Sequence, residues 1–426
     1  MKIVHVSTSD HGGAGIAASR LHIALLERGI DSSFLTLHKF SKHIPQHVQF
    51  LPGTGFVFPI IFNCWRKIKR GLKHFHLYTP PDERSRKYYL KNRLHGFEHF
   101  SFPFAEVDLA NHPLVKEADV VHLHWVSDGF LDYTKFFSKR TNNVVWTLHD
   151  MNPFTGGCHH SDDCLFFKDK CQPCFQLKNT IDENYAAKML QLKLESFQEI
   201  KSTSIRIVTP SKWIGDLSSV SALFKKFIHH VIPNGFDPQK FQLIPRDVAR
   251  KKLNVEGDKK IIFINAHHID NYRKGLSYLV KALNNLEKDK FILMVAGHTM
   301  RPELFPNLLH LGYLHSEEEM SIAYSAADVF VLPSLAENLP NTICESLFCG
   351  TPVVAFDTGG IKELLNEANG LLIPLRDFNA LSEGILAATS CSWNREAIRE
   401  DAIARFGKNK VAADYLSVYH QLIETK

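Results

Sequence analysis

The sequence lacks any apolar run of roughly 18 residues, so it offers no segment that could cross a bilayer as a helix. Its opening, MKIVHVSTSD, has no basic stretch followed by an apolar one and a cleavage site, and no secretory leader is expected. Cysteine is scarce: eight in 426 residues do not make a disulfide scaffold. Charge of one sign is lacking too. Lys and Arg number 50 against 45 Asp and Glu, a net +5 that calls for no nucleic-acid partner. There is no internal repeat and no low-complexity tract. What remains is a cytoplasmic enzyme, with enough apolar material, 44%, for two sizeable cores.

What is present is an alternation of short apolar runs with helix-like stretches. KIVHVS (2–7), DVVHLHW (119–125), NVVWTLH (143–149) and IRIVTPS (205–211) read as buried strands of one sheet. KIIFINAH (260–267), FILMVAGH (291–298), DVFVLPS (328–334) and PVVAFDTGG (352–360) read as strands of a second. Segments 14–28, 275–287 and 341–349 read as helices. Continuous apolar strands separated by helices mean parallel sheets covered on both faces. Pro233, Asn234, Gly235 and Pro238 crowd one stretch and mark a linker. The expected division is 1–232 and 233–406, with a C-terminal helix, 407–426, packing back on the first part. Two doubly wound α/β domains would then face each other across a cleft at their strands' carboxyl ends.

Residues 51–100 stand apart. An apolar stretch, FVFPIIFNCW, runs into a cationic one. From Trp65 to Arg93 ten basic residues face two acidic ones, a local excess of eight. Apolar and aromatic residues beside such a run suit an anionic membrane surface. A solvated insertion with its own small core reads equally well.

STSDHGGAGIAASR follows the first strand. Gly13-x-Gly15-x-x-Ala18 matches a dinucleotide fingerprint in form, but the second strand ends in His38 and Lys39, not in an acid. The loop, with Gly12 and Gly13, would hold a phosphate or polar acceptor, or its glycines serve close helix–sheet packing. His149 and Asp150 end a strand, where ligands bind in such sheets. His122 and His124 point to one face of another strand, and a hydrogen-bonded structural role suits them.

Cys158, Cys164, Cys171 and Cys174, in the loop 151–178, have the spacing C-x5-C-x6-C-x2-C. Four thiols within 17 residues suit a structural zinc, with His159 or His160 as substitute ligands. Reduced cysteines packed in a loop are the other reading.

Arg273 and Lys274 stand just ahead of a helix and after a strand, a pyrophosphate site in kind. ENLPNTICE (337–345) puts two glutamates around a helix start. Pro340 fits the first helical turn. Carboxylates repel a phosphate, so Glu337 and Glu345 make sense as acceptors for the hydroxyls of a sugar and a ribose. Free amides of the helix behind Asn338, Leu339 and Pro340, and of Gly359 and Gly360, would take the phosphates.

With those residues on the page, the chain resembles the family 4 glycosyltransferases of GT-B fold. The resemblance rests on Glu337-x7-Glu345, RKG, VIPNGFD, TPSKW, AADVFVLPS, GTPVVAFDTGGIKEL and GGAG. The FTGGCHHSDDC…CQPC segment is similar to that of the colanic-acid-type surface-polysaccharide subgroup. The resemblance implies a retaining transfer from a UDP- or GDP-sugar, no metal required for chemistry, and a saccharide or lipid-pyrophosphate-linked acceptor. It also implies roles. Glu337 would contact the donor sugar, Glu345 the ribose, and Arg273 and Lys274 the pyrophosphate. His149 would lie near the sugar, and Gly12 and Gly13 on the acceptor side. The family's arginine ahead of RKG is absent; His268 is the nearest substitute. E-x-FG is replaced by ENLPN. Two other classes remain: an NAD(P)-dependent oxidoreductase, and a non-catalytic carbohydrate-binding protein on the same fold.

Overall fold

The run Ile261–Ile264 shows how the strands form. Its four side chains are all 4% exposed or less, yet they divide between two cores. Ile261 and Phe263 pack with Phe330, Val353 and Phe348; Ile262 and Ile264 pack with Val329, Val331 and Leu283. Side chains alternate across a strand, so a run apolar at every position requires cover on both faces.

The computed structural model describes the chain apart from residues 52–89, 91–92, 94–98, 141–142, 179–181, 183, 269–270, 299–306 and 425–426. The basic insertion, with Arg66, Lys67, Lys69, Arg70 and Lys73, lies outside the described residues. So does the side chain of His268.

The chain divides into two compact units. Unit 1 comprises Met1–Thr209, Ile214–Val231 and Tyr415–Lys426. Its strands are β1 (Lys2–Ser9), β2 (Asp31–His38), β3 (His47–Gln49), β4 (Val120–Leu123), β5 (Val144–Thr147), β6 (Ile205–Thr209) and β7 (Ile228–Val231). They form one parallel sheet in the order β3-β2-β1-β4-β5-β6-β7. Unit 2 comprises Pro210–Trp213 and Ile232–Asp414. Its strands are β8 (Lys260–His268), β9 (Phe291–His298), β10 (Leu308–Gly312), β11 (Val329–Leu332), β12 (Val353–Phe356) and β13 (Gly370–Ile373). They are again parallel, ordered β10-β9-β8-β11-β12-β13.

Two parallel-sheet Rossmann-like units are what the apolar pattern predicts. The strands it missed, β3, β7, β10 and β13, all close a sheet edge. Edge strands are half exposed and carry polar residues, as IHHV in β7 and LLHLG in β10 do. In each unit the strand order reverses once, between β1 and β4 and between β8 and β11. Ligands bind beyond the carboxyl ends of strands at such a crossing.

The end of helix Lys408–Glu424 belongs to unit 1. The Tyr419 hydroxyl meets His122 Nδ1 at 2.7 Å, and that of Tyr415 meets Thr147 Oγ1 at 2.9 Å. Thr147 Oγ1 is also 2.7 Å from His122 Nε2, so both nitrogens of a fully buried imidazole are satisfied. Tyr419→Phe leaves His122 Nδ1 unpaired, which costs about 1–3 kcal/mol. Hydrogen exchange in β4 and β5 should speed up accordingly, while β8 and β11 stay unchanged. Equal exchange in variant and wild type would show that the tyrosine contributes nothing there.

Candidate functional site

The sequence-predicted residues of unit 2 meet at the β8/β11 crossing. Arg273 and Lys274 lie in a single 3-10 turn, Tyr272–Lys274, after β8. The Asn271 side chain accepts from the Arg273 amide at 2.9 Å and starts that turn. Glu337 lies in the loop after β11. Its Oε1 is 2.7 Å from Lys274 Nζ and 2.9 Å from Arg273 Nη1. Arg273 Nη1 also donates to the Ala336 carbonyl at 2.8 Å, and the Leu335 amide donates to the Arg273 carbonyl at 2.7 Å. The two loops are therefore joined by backbone and by charge. The three side chains are 12–24% exposed, so the pairs are partly desolvated and only partly screened.

Gly359 closes the other side of this loop. Its φ is +60°, and a Cβ there would stand 1.6 Å from the Glu337 carbonyl oxygen. Only glycine permits both. The Gly360 amide donates to the Asn338 carbonyl at 2.9 Å. The Asn338 side chain accepts from Ser211 at 2.6 Å, and Asn234 donates to Asn341 Oδ1 at 2.8 Å. TPSKW and VIPNGFD, each more than a hundred residues away in sequence, and the nearer TGG thus converge on ENLPN. No spacing signal reveals this convergence, because it exists only in the folded unit.

Leu339 is buried, and Pro340 takes the position just before helix Asn341–Phe348. This corrects the expected place in the first turn: its ψ of 120° is extended, as the residue flanking a helix must be. No side chain caps the helix start. Glu345 is its fifth residue, 8% exposed, and faces Tyr324. The Tyr324 hydroxyl donates to Glu345 Oε2 at 3.4 Å. Burial, then the nearby Glu345, pushes the phenol well above its usual value, so Tyr324 keeps its proton.

In unit 1 the β1/β4 crossing brings together other predicted residues. Helix Gly12–Glu27 starts at Gly12, two residues ahead of the expected start, and no side chain caps it. Gly15, not Gly12, is the packing glycine. A Cβ on Gly15 would lie 2.4 Å from the Ser9 carbonyl oxygen, whereas one on Gly12 meets nothing within 4 Å. Gly13 is the second residue of the same helix.

His149 follows β5. Its Nε2 is 3.2 Å from His124 Nδ1, and His124 Nε2 is 3.0 Å from His5 Nδ1. A small cavity of about 10 Å³ lies beside His124, Trp125, His149 and Asp150. His149 as a residue is half-buried. Desolvation nevertheless pulls its pKa down to about 4, against the opposing pull of Asp150. Asp150 itself accepts from Trp125 Nε1 at 2.7 Å and from His159 Nδ1 at 2.6 Å. Burial acts to raise its carboxyl, but the charge and hydrogen bond of His159 bring it down to about 2. His159 also reaches Ser101 Oγ at 2.9 Å, so it is committed to Asp150 and is not the substitute zinc ligand expected. The four cysteines line one cavity of about 20 Å³. Burial pushes Cys171 up to about 12 and Cys158 higher still, so both are neutral thiols when nothing is bound.

The comparisons with known proteins bear on the fold and the family. Residues 258–390 match the family model of glycosyl transferases group 1. The chain is 24% identical over 336 residues to the colanic acid biosynthesis glycosyl transferase WcaC of Escherichia coli K12, covering 76% of this chain and 81% of that one. It is 26% identical over 202 residues to a Campylobacter jejuni enzyme, N,N'-diacetylbacillosaminyl-diphospho-undecaprenol alpha-1,3-N-acetylgalactosaminyltransferase. That match covers 45% of this chain and 53% of the relative. Among solved structures, Anabaena Alr3699/HepE in complex with UDP superposes with a TM-score of 0.61 at 16% identity, over 99% of this chain and all of that one.

A histidine whose folded pKa is depressed stabilises the fold when neutral. That stability is complete above its ordinary value of 6.5 and is lost as pH falls toward about 4, because the unfolded chain takes up the proton first. The thermal midpoint of unit 1 should fall over this window, and His149→Gln should flatten the fall. The same slope in both proteins would place the acid sensitivity elsewhere.

The chain thus carries a glycosyl transferases group 1 domain at residues 258–390, within two parallel-sheet units of the GT-B fold.

Proposed function

We propose that the protein transfers a sugar from a UDP- or GDP-sugar to a saccharide acceptor, with retention at the anomeric carbon, in the making of a surface polysaccharide. The observation that carries this reading is the Glu337 carboxylate bracketed by Arg273 and Lys274 at the β8/β11 crossing. Residues 1–232 would bind the acceptor and residues 233–406 the donor. Relatives named for colanic acid and for a diphospho-undecaprenol-linked acceptor support this class, as does the UDP held by Anabaena HepE.

Each group has a role that its chemistry suits. Arg273 and Lys274 neutralise the pyrophosphate as the anomeric carbon–oxygen bond breaks. Arginine has five N–H donors, so it can hold Glu337 and an anion together. The start of helix Asn341–Phe348, behind Asn338, Leu339 and Pro340, and the Gly359 amide add positive potential for the phosphates, whereas the Gly360 amide is already given to the Asn338 carbonyl. Glu337 accepts from hydroxyls of the donor sugar. Glu345, deeper and set by Tyr324, accepts from the ribose. His149, neutral at physiological pH, is a hydrogen-bond partner for the sugar and not a second cation. Gly12 and Gly13 stand at the helix start on the acceptor side. Retention means that the acceptor oxygen enters from the face the phosphate leaves, so the leaving group must stay in place, and the two cations do that.

The positive charge for the leaving group comes from the protein, so chelation of divalent metals should leave turnover intact. Loss of activity in EDTA with recovery in Mg²⁺ or Mn²⁺ would contradict this.

The pairing gives the glutamates opposite signatures. Glu337→Gln releases both cations, so UDP or GDP affinity should hold or rise while turnover falls by about 10²-fold or more. Glu345→Gln should weaken nucleotide binding by roughly tenfold. Matching profiles for the two variants would refute the division of roles.

A lipid-linked acceptor also requires access to a membrane surface. Among the described residues no helix is long and apolar enough to cross a membrane. Peripheral attachment would fall to Arg66, Lys67, Lys69, Arg70 and Lys73, each worth about 1 kcal/mol at an anionic surface. Flotation should require anionic vesicles and fail at high salt. Equal flotation with neutral vesicles, or no change on charge reversal of the five, removes the electrostatic anchor.

A further inference from the structure

The cysteine loop of unit 1 carries features that glycosyl transfer does not use. Cys158, Cys164, Cys171 and Cys174 line the same cavity, together with Phe100 and Pro173. About one probe sphere of 10–15 Å³ is enough for a single small guest, and the cavity holds about 20 Å³. The cysteines form no disulfide.

A hydrogen-bond donor is aimed at one of the sulfurs: the Gly156 amide donates to Cys171 Sγ at 3.2 Å. The Leu177 amide donates to the Cys174 carbonyl at 3.1 Å and the Thr155 hydroxyl to the Cys158 carbonyl at 2.7 Å, which fixes the backbone beside two more of the thiols. A neutral thiol is a weak acceptor and gains little from the Gly156 amide. A metal-bound thiolate gains much more, since charge-assisted bonds are about twice as strong.

Two cations stand against the cluster. Lys193 is fully buried, and its ammonium donates only to the carbonyls of Asn152 (2.6 Å) and Thr155 (2.9 Å). Among the described residues no carboxylate lies within ion-pair distance of it. The acidic groups that act on it are, strongest first, Cys171, Cys158 and Asp150. Arg93 acts on Cys174, and it donates to Gln176 Oε1 at 2.6 Å. A buried cation without a counter-charge is costly. Lys193, beside Cys171 and Cys158 and with no carboxylate at ion-pair distance among the described residues, points to a missing negative charge.

We infer that Cys158, Cys164, Cys171 and Cys174 bind one structural zinc ion as a tetrathiolate. Four thiols lose their protons, four Zn–S bonds form, and the centre carries a net charge of −2. Lys193 offsets part of it.

A rival metal site exists. His5, His122 and His124 are buried, with ligand atoms within 4.8 Å of one another, and among the described residues they are the only such trio. The cysteine sulfurs are therefore not yet gathered that closely, and an ion would draw them into the cavity. The imidazoles are poorer candidates. Both His122 nitrogens are held by Tyr419 and Thr147, both His124 nitrogens by His5 and His149, and no anion in the trio offsets a dication.

The test is metal analysis of the full-length protein purified without chelator, with growth in cobalt as a second arm. The expected result is about one zinc per chain, released by a mercurial that caps thiols. The cobalt form should show thiolate-to-cobalt charge-transfer and strong tetrahedral bands. Cys164→His keeps a ligand and should keep the metal, while Cys164→Ala and Cys174→Ala should lose it, with faster hydrogen exchange at 150–160. Folding failure in one variant leaves the wild-type stoichiometry and the cobalt spectrum decisive. Absence of zinc together with absence of thiolate bands overturns the inference. So does iron in place of zinc, or metal that survives the alanine variants and departs with His5→Ala.

Discussion

Glu337 lies between two cations, and the geometry at the β8/β11 crossing depends on that contact. Arg273 and Lys274 come from the loop after β8, Glu337 from the loop after β11. These are the two strands at which the chain reverses direction across the sheet. The ion pairs and the Leu335–Arg273 backbone bond fix one loop against the other before any ligand arrives. A carboxylate beside a phosphate site is unfavourable alone. Set between two cations, it leaves a group that can accept from hydroxyls while the remaining N–H donors serve an anion. Gly359 and the ENLPN backbone are arranged so that this loop can lie close to its neighbour.

Unit 1 solves a different problem at its own crossing. There polarity is buried without net charge. His5, His122 and His124 are inside a parallel sheet, and burial pulls the pKa of each well down, so they act as neutral donors and acceptors. Tyr419, from the far end of the chain, bonds His122, and Tyr415 bonds the Thr147 hydroxyl that holds the other His122 nitrogen. Asp150 is an anion there, with its own partners in Trp125 and His159. His149 bonds His124 and lies beside Asp150, and burial keeps it neutral against the pull of that carboxylate.

Much of this was legible in the sequence, for physical reasons. Strands buried on both faces, such as KIIFI and DVFVL, are apolar at every position, and the run gives them away. Pro340 and the paired glutamates mark a helix start at a strand end. The edge strands β3, β7, β10 and β13 escaped because half-exposed residues break the run. Side-chain pairing escaped as well. Nothing in the spacing shows that Arg273 and Lys274 hold Glu337, that His159 belongs to Asp150, or that Ser211 bonds Asn338. Those depend on which loops the fold brings together. Gly15 is a case between the two: the sequence offered phosphate binding or close packing, and only the approach of Ser9 decides it.

The central claim is that Arg273 and Lys274, although paired with Glu337, are the groups that hold a pyrophosphate. Calorimetric titration of UDP, GDP and their parent nucleosides into wild type and Lys274→Met addresses it directly. The account predicts that one diphosphate binds wild type with an affinity that falls as salt is raised. It predicts that Lys274→Met loses most of the diphosphate's advantage over its nucleoside and leaves nucleoside binding unchanged. Diphosphate binding that is indifferent to Lys274 and to salt, or no binding of either diphosphate, would contradict it.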